Sequence, residues 1–218
     1  MSNDAYAAIE KKTGFSMPEL YRRMVADGVT TFPQDFRTAG LENPSALLMA
    51  SIHVEWMTPS DIAEHEPEDY WDKAVALVPF AQNGGGDLWC FHPGAKAGDD
   101  VPVALVPHDE MVAEIFAPNF EGFLFRQLLG AFSEIDPSHH SYTPEETKQC
   151  AAAEIKTLTP YVRKEWIDVL KEVASRPLQI KDKSGYHSFI SFKDAKALAA
   201  KTFGYDKLDK SFKYQTDD

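Results

Sequence analysis

The stretch LVPFAQNGGGDLWCFHP, residues 77–93, sets three consecutive glycines between two apolar runs. No other spelling in the chain constrains the fold as strongly. A phosphate-binding P-loop needs a lysine and a Ser or Thr directly after its last glycine, then a helix whose amides face the phosphate. Here Asp87 follows, then Leu88, Trp89 and Cys90, which read as a strand. A carboxylate at that point repels phosphate, and the G-x-G-x-x-G spacing of a dinucleotide fold is missing as well. Asn83-Gly84 between apolar runs is instead a hairpin signal, since both residues tolerate positive φ, and the extra glycines can supply a bulge. Asn83, Gly84, Gly85, Gly86 and Asp87 are therefore assigned to a structural turn.

The hairpin sets the fold class. AVALVPF (74–80), DLWCFHP (87–93), VPVALVPHD (101–109) and MVAEIFA (111–117) are four short apolar runs with brief connections, as in an antiparallel sheet. Their nearly continuous apolar spelling predicts a sheet covered on both faces. LLMASIHVEWM (47–57) reads as a further strand, with Ile52, Val54 and Trp56 alternating with His53 and Glu55. Helices are expected over AYAAIEKK, ending at Gly14, over SMPELYRRMVADG with a capping box from Ser16 to Glu19, and over TPSDIAEH. NFEGFLFRQLLGAFSEI follows, with Asn119 as cap and Phe120, Phe123, Leu124, Leu128 and Phe132 facing inward. The expected class is α+β: a twisted antiparallel sheet of four to six strands flanked by helices, plus a C-terminal helical extension.

DPSHHSYTP has the composition of a linker and divides the chain into an α+β domain, 1–135, and an extension, 136–218. The extension is expected to hold a helix capped by Thr143 and Glu146 with Pro144 in its first turn. A second should restart at Thr159-Pro160, and a third should run from Phe192 to Phe203 between Ser191 and Gly204.

Charge divides along the same line. Residues 1–135 carry 8 Lys+Arg against 21 Asp+Glu, whereas residues 136–218 carry 14 against 13. The acidic part repels nucleic acid and anionic membranes and attracts basic partners. Asp61, Glu64, Glu66, Glu68 and Asp69 form a block without a single Lys or Arg, a solvated face where a basic protein would dock. The lysines of 136–218 are interleaved with acids and suggest surface ion pairs more than a phosphate-binding stripe. No apolar run reaches the length of a membrane span, no secretory leader opens the sequence, and Cys90 and Cys150 make no disulfide framework. The expectation is a cytoplasmic protein with no cofactor or metal.

Two clusters invite catalytic readings. Cys90 and His92 share a strand face, but no second metal-ligating pair accompanies them. His108, Asp109 and Glu110 could act as acid and base or contact a protein partner, yet they fall where a polar turn between strands is expected. A metal-dependent hydrolase using His92, His108 and Asp109 is the enzymatic alternative. His139 and His140 lie in the linker and read as solvated.

The order SMPELYRRMVADG, HVEWMTPSDIAEH, VALVPFAQNGGGDLWCFHP, VPVALVPHDE, FAPNFEGFL resembles the SUKH superfamily, which holds bacterial toxin-immunity proteins and the fungal Smi/Knr-type cell-wall regulators. Pro79-Phe80, Gly84 to Asp87, Leu88 to Phe91, Pro102 to Glu110 and Phe120 to Leu124 carry the resemblance, over about residues 14–134. It implies a twisted antiparallel sheet with flanking helices and a non-enzymatic role: binding a cognate toxin, often a nuclease, and occluding it. Asp61, Glu64, Glu66, Glu68, Asp69, Asp109 and Glu110 are the candidate contacts. A regulatory module like the fungal relatives is the second reading.

Overall fold

The computed structural model describes residues 2–96, 100–136, 142–180 and 185–216. The chain is α+β, with eight α-helices and a six-stranded antiparallel sheet among the described residues. It divides into two compact units, residues 1–22, 52–123 and 205–218 in one, and 23–51 and 124–204 in the other.

The first unit holds the sheet. Its strands are β1 (Glu55–Trp56), β2 (Val78–Gln82), β3 (Leu88–Phe91), β4 (Val103–Val106), β5 (Val112–Ala117) and β8 (Ser211–Lys213), paired in that order. Alternation along β3 shows why every position is apolar. Leu88 and Cys90 join Trp71, Ala104, Ile115 and Tyr214 in one cluster. Trp89 and Phe91 enter an aromatic layer with Phe80, Phe120 and Phe123, with Phe80 4.5 Å from Phe91 and 5.0 Å from Phe123. Both faces are thus buried, as a continuous apolar strand demands. Helices α1 (Ser2–Thr13) and α4 (Pro59–Glu64) also belong to this unit. Gly14 (φ +67) follows α1 as expected, and Thr58 caps α4 in a reciprocal box with Asp61.

Pro79 sits inside β2, an interior strand, where it has no amide to give the ladder. The register slips there: Pro79 faces Cys90 and Ala81 faces Trp89, so Phe80 is the extra residue. Such a bulge is one of the few places a sheet tolerates proline. The bulge foreseen in the glycine turn lies here instead.

The second unit is mostly helical. It contains α3 (Phe36–Glu42), a 3₁₀ turn at Leu48–Ala50, α6 (Pro144–Leu158), α7 (Lys164–Ala174), the short pair β6 (Gln179–Ile180) and β7 (His187–Ser188), and α8 (Phe192–Phe203). Helices α2 (Glu19–Ala26) and α5 (Phe120–Ala131) carry the chain across the division. The caps read from sequence hold for α6 (Thr143 with Glu146), α8 (Ser191 before, Gly204 at φ +56 after) and α5, where Asn119 accepts from the Gly122 amide at 2.8 Å. Phe120, Phe123, Leu124, Leu128 and Phe132 are all buried.

Three local expectations fail for identifiable reasons. Residues 47–57 form a strand only at Glu55–Trp56. Leu47 turns left-handed (φ 64), Leu48–Ala50 coils into the 3₁₀ turn, and Ile52 is exposed. Helix α2 begins at Glu19, its Arg22 amide bonding Pro18 O, so the first turn lies beyond the expected cap Ser16. Helix α7 starts at Lys164 rather than at Thr159, whose hydroxyl back-bonds to Ile155 O (2.8 Å) at the end of α6. His139 and His140 lie outside the described residues.

The proline-containing stretch 30–45 is tied to α6 by side chains. Gln149 donates to Leu41 O at 3.1 Å, Thr157 to Pro44 O at 3.1 Å, and Arg37 pairs with Glu146. Glu154, with no solvent exposure, accepts the Met49 amide at 2.9 Å through Oε2, while Oε1 has no partner. Helix α3 approaches α6 through Gly40, where a Cβ would stand 2.0 Å from the Tyr142 hydroxyl oxygen.

Two expectations follow. Tyr214 is fully buried, packs 5.6 Å from Trp71 and has its hydroxyl 2.7 Å from Glu110 O. Tyr214→Ala should cost about 3–5 kcal/mol in urea unfolding; a loss under about 1 kcal/mol would show that the C-terminal segment is not part of the cooperative core. Burial raises the Glu154 carboxyl from 4.5 to about 8, against the lowering pull of the Met49, Leu47 and Leu48 amides. A raised folded-state value means this contribution is complete below the ordinary value and disappears as pH rises through about 8. Glu154→Gln mimics the protonated form, so its unfolding free energy should lack the wild-type decline of up to about 1.4 kcal/mol per pH unit between about pH 5 and 8. Identical slopes in the two proteins would exclude a proton on Glu154.

Candidate partner-binding surface

All the candidate contact residues lie in the first unit, and their carboxylates divide by role. Asp61 is occupied: its Oδ2 accepts the Thr58 amide (2.9 Å) and hydroxyl (2.7 Å), closing the α4 cap. Glu66 pairs with Lys12 at 2.8 Å, and the same ammonium also donates to the carbonyls of Ala63 and His65. Hydrogen bonding by Lys12 holds the Glu66 carboxyl below its ordinary pKa. Glu64, Glu68, Asp69, Asp109 and Glu110 enter no ion pair among the described residues, though Asp109 lies near His108.

The glycine turn is organised by one side chain. Gln82 pairs with Leu88, leaving residues 83–87 as the loop. Asn83 Oδ1 accepts from the amides of Gly85 (2.9 Å) and Asp87 (3.0 Å), its Nδ2 donates to Asp87 Oδ2 (2.9 Å), and its amide bonds Asp87 O. The positive φ that Asn83 and Gly84 would tolerate falls instead on Gly86 (φ +93), because Asn83 turns the chain with its side chain rather than its backbone. The turn is structural, and it also carries Asp87 to the neighbouring β4–β5 connection.

There His108 Nδ1 lies 2.8 Å from Asp87 Oδ1, which also accepts the His108 amide at 3.1 Å. Partial burial pushes the Asp87 carboxyl up, but the bonds from His108 and Asn83 outweigh it and leave the pKa lowered. The bond to Asp87 raises the pKa of His108, which is otherwise open to solvent, and the charge of Asp109 adds to this. One potential ligand atom from each of Asp87, His108 and Asp109 falls within 4.8 Å of the others, the only such group found among the described residues. Nδ1 of His108 is already spent on Asp87.

The hydrolase trio does not assemble. Leu88 pairs with Val106 and Phe91 with Val103, so His92 and His108 occupy opposite ends of the β3–β4 ladder, about 10 Å or more apart. His92 stacks on Phe212 (4.6 Å) with Nδ1 3.1 Å from Ala76 O, and burial lowers its pKa. The Cys90 thiol is wholly buried and pushed far up by desolvation, away from thiolate chemistry.

The two acidic stretches are brought together by residues that sequence reading did not single out. Segment 214–216 bonds on one side to the β4–β5 connection, with Tyr214 Oη and Gln215 Nε2 at Glu110 O. On the other side Asp72 N donates to Tyr214 O (2.8 Å) and Thr216 N to Tyr70 O (3.0 Å). Tyr70 to Asp72, which follow the acidic block, and the Asp109-Glu110 connection therefore flank a single extended segment, their backbones about 10 Å apart. Tyr70 (39% exposed) and Met111 (50%) add apolar surface on its two sides. No local pattern signalled this, because the pairing partners are distant in the chain.

The His108–Asp87 bond has a pH signature. The His108 value is raised, so the stability it adds is complete below about 6.5 and declines as pH rises through its folded-state value. Titration followed by imidazole NMR should place His108 above 6.5, and Asp87→Asn should lower it; an unmoved midpoint would show that the bond is not kept in solution.

No helix among the described residues is long and apolar enough to cross a membrane. Neither the curated proteins nor the solved structures contain a match to this chain. A family model does match, over residues 1–126, more than half of the chain and including the glycine turn, the β4–β5 connection and the first turns of α5. The chain belongs to the SMI1 / KNR4 family (SUKH-1).

Proposed function

We propose that this chain is a non-enzymatic binding protein of the immunity type, acting in the cytoplasm by occluding a basic toxin domain, with a nuclease the class that fits best. Residues 1–135 form the binding domain in this reading and 136–218 its extension. One observation carries it: carboxylates outside any ion pair among the described residues border segment 214–216, Glu68 and Asp69 just before Tyr70 on one side and Asp109 and Glu110 on the other, with Tyr70 and Met111 exposed beside them. Apolar area inside a single-sign charged rim is the composition of a protein-binding surface, and the charge selects a cationic partner and speeds its approach. A nuclease domain is cationic where it must attract phosphate. Family membership supports an immunity-type or regulatory role at the coarser level.

The test is affinity capture from source-cell lysate at low and high salt, using wild type and a variant with Glu64, Glu68, Asp69, Asp109 and Glu110 all replaced by lysine. The expected result is a basic protein held by wild type, released at high salt and lost by the variant. Co-expression with wild type should then suppress that protein's toxicity, and the variant should weaken the suppression at least a hundredfold in dose. Equal capture by both proteins would remove the acidic surface from the mechanism. Capture of a non-toxic housekeeping complex would favour the regulatory reading. Truncation at 135 is a poor substitute, because it removes Tyr214 from the core.

A further inference from the structure

The second unit contains a cleft of opposite character to the acidic surface. It lies between α6 and the last turn of α7 and has a volume of about 430 Å³. That is within the range of small-ligand sites, roughly 300–1,000 Å³. Ile155 and Ala174 give it an apolar floor, and Lys148, Lys156 and Lys171 stand around it. Lys148, Ile155 and Lys156 share one helical face by their spacing, and α7 supplies Lys171 and Ala174 from across the groove. No carboxylate among the described residues lines the cleft.

Elsewhere on these helices cations are neutralised: Lys164 pairs with Asp168 (2.5 Å) and Arg176 with Glu172 (2.9 Å). Around the cleft the pairing is looser. Lys156 enters no ion pair among the described residues, Lys148 reaches Glu145 only at 4.0 Å, and Lys171 has no closer partner than a through-space attraction to Asp168. Lys156 and Lys171 lie in the last turns of their helices, where each offsets a dipole of about half a charge. Two such dipoles cancel about one of the three positive charges. The remainder converges on an apolar hollow in a chain whose net charge is −12.

We infer that this cleft binds a small organic anion carrying two or more negative charges on an apolar body. The ammonium groups act as point charges suited to phosphate or clustered carboxylates, and the apolar floor takes the carbon skeleton. Phosphate and carboxylate ligands share this chemistry, and the choice of probe separates them.

Calorimetric titration of the full chain at low salt tests it with 1-naphthyl phosphate, naphthalene-1,8-dicarboxylate, inorganic phosphate and 1-naphthol. Saturable binding of at least one aromatic dianion is expected, with inorganic phosphate and neutral 1-naphthol at least tenfold weaker. Lys156→Glu/Lys171→Glu should weaken the dianion at least tenfold, while Lys193→Glu/Lys201→Glu on the exposed side of α8 should leave it unchanged. Preference for naphthyl phosphate assigns a phosphate ligand, and preference for the dicarboxylate a polycarboxylate. Amide NMR shifts should concentrate in residues 148–159 and 171–175, which keeps the test independent of variant folding. The inference is overturned if neither dianion binds at millimolar concentration, if both double variants bind as wild type does, or if only an oligoglutamate peptide binds, which would make the cleft a groove for an acidic protein segment.

Discussion

A sheet whose central strands, β3 and β4, are apolar at every position has to be covered on both faces, and the first unit is arranged around that requirement. One face receives Phe120 and Phe123 from the start of α5 and Tyr21 from α2. The other face is closed differently. Its apolar residues are closed over by Trp71 and Leu77 from the connection before β2, and by Tyr205, Phe212 and Tyr214 from the end of the chain. The chain must therefore return to the sheet after the long excursion through residues 124–204. It does so as β8, which pairs with β5 and satisfies an edge that would otherwise present open amides and carbonyls. Covering the second face also fixes the surface chemistry. The residues that flank Trp71 and the turn that receives Tyr214 Oη are the acidic ones, so core closure and the gathering of carboxylates have the same cause.

Glu154 plays a comparable part in the second unit. The segment 44–51 lacks regular structure over most of its length, and its amides have to bond somewhere once buried. Glu154 supplies acceptors from α6, and Leu47 takes a left-handed conformation that brings consecutive amides toward that one carboxyl. The Met49 bond and the neighbouring Leu47 and Leu48 amides pull the Glu154 pKa down, but complete burial outweighs them. The unpartnered Oε1 is the natural seat of the proton. Gln149 and Thr157, on either side of Glu154 in α6, bond carbonyls of the adjoining stretch, so one helix provides both donors and acceptors to an irregular neighbour.

What could be read from the sequence was local. Caps at Thr143, Ser191 and Asn119 follow from a side chain and an amide three residues away, and four strands follow from short apolar runs between turns. What could not be read was long-range. LLMAS has the apolar composition of a strand, yet its geometry is set by a carboxyl more than a hundred residues away. β8 and the bridge between Trp71 and Gln215 have no periodic signature, because three residues are too few to show one. The candidate surface divides in the same way. Its carboxylates were visible as a charge block, whereas the spending of Asp61 on a cap, the pairing of Glu66, and the approach of Asp109-Glu110 required coordinates.

The glycine turn shows why a structural assignment and a functional one need not compete. Asn83 holds the loop through bonds internal to residues 83–87, which frees Asp87 Oδ1 to bond His108 on the next connection. Replacing Asp87 with a lysine, as a P-loop pattern would ask, would break that bond and set a cation beside His108. An acidic residue there instead keeps His108 as the one cation against Asp87 and Asp109, and partly offsets their charge. Because His108 sits at the edge of the acidic surface, its protonation reduces the surface charge by about one unit, and its raised pKa lets this begin above the ordinary histidine range. A cationic partner is therefore held more tightly once His108 has lost its proton. The turn that positions Asp87 thereby sets how strongly the neighbouring acidic surface depends on pH.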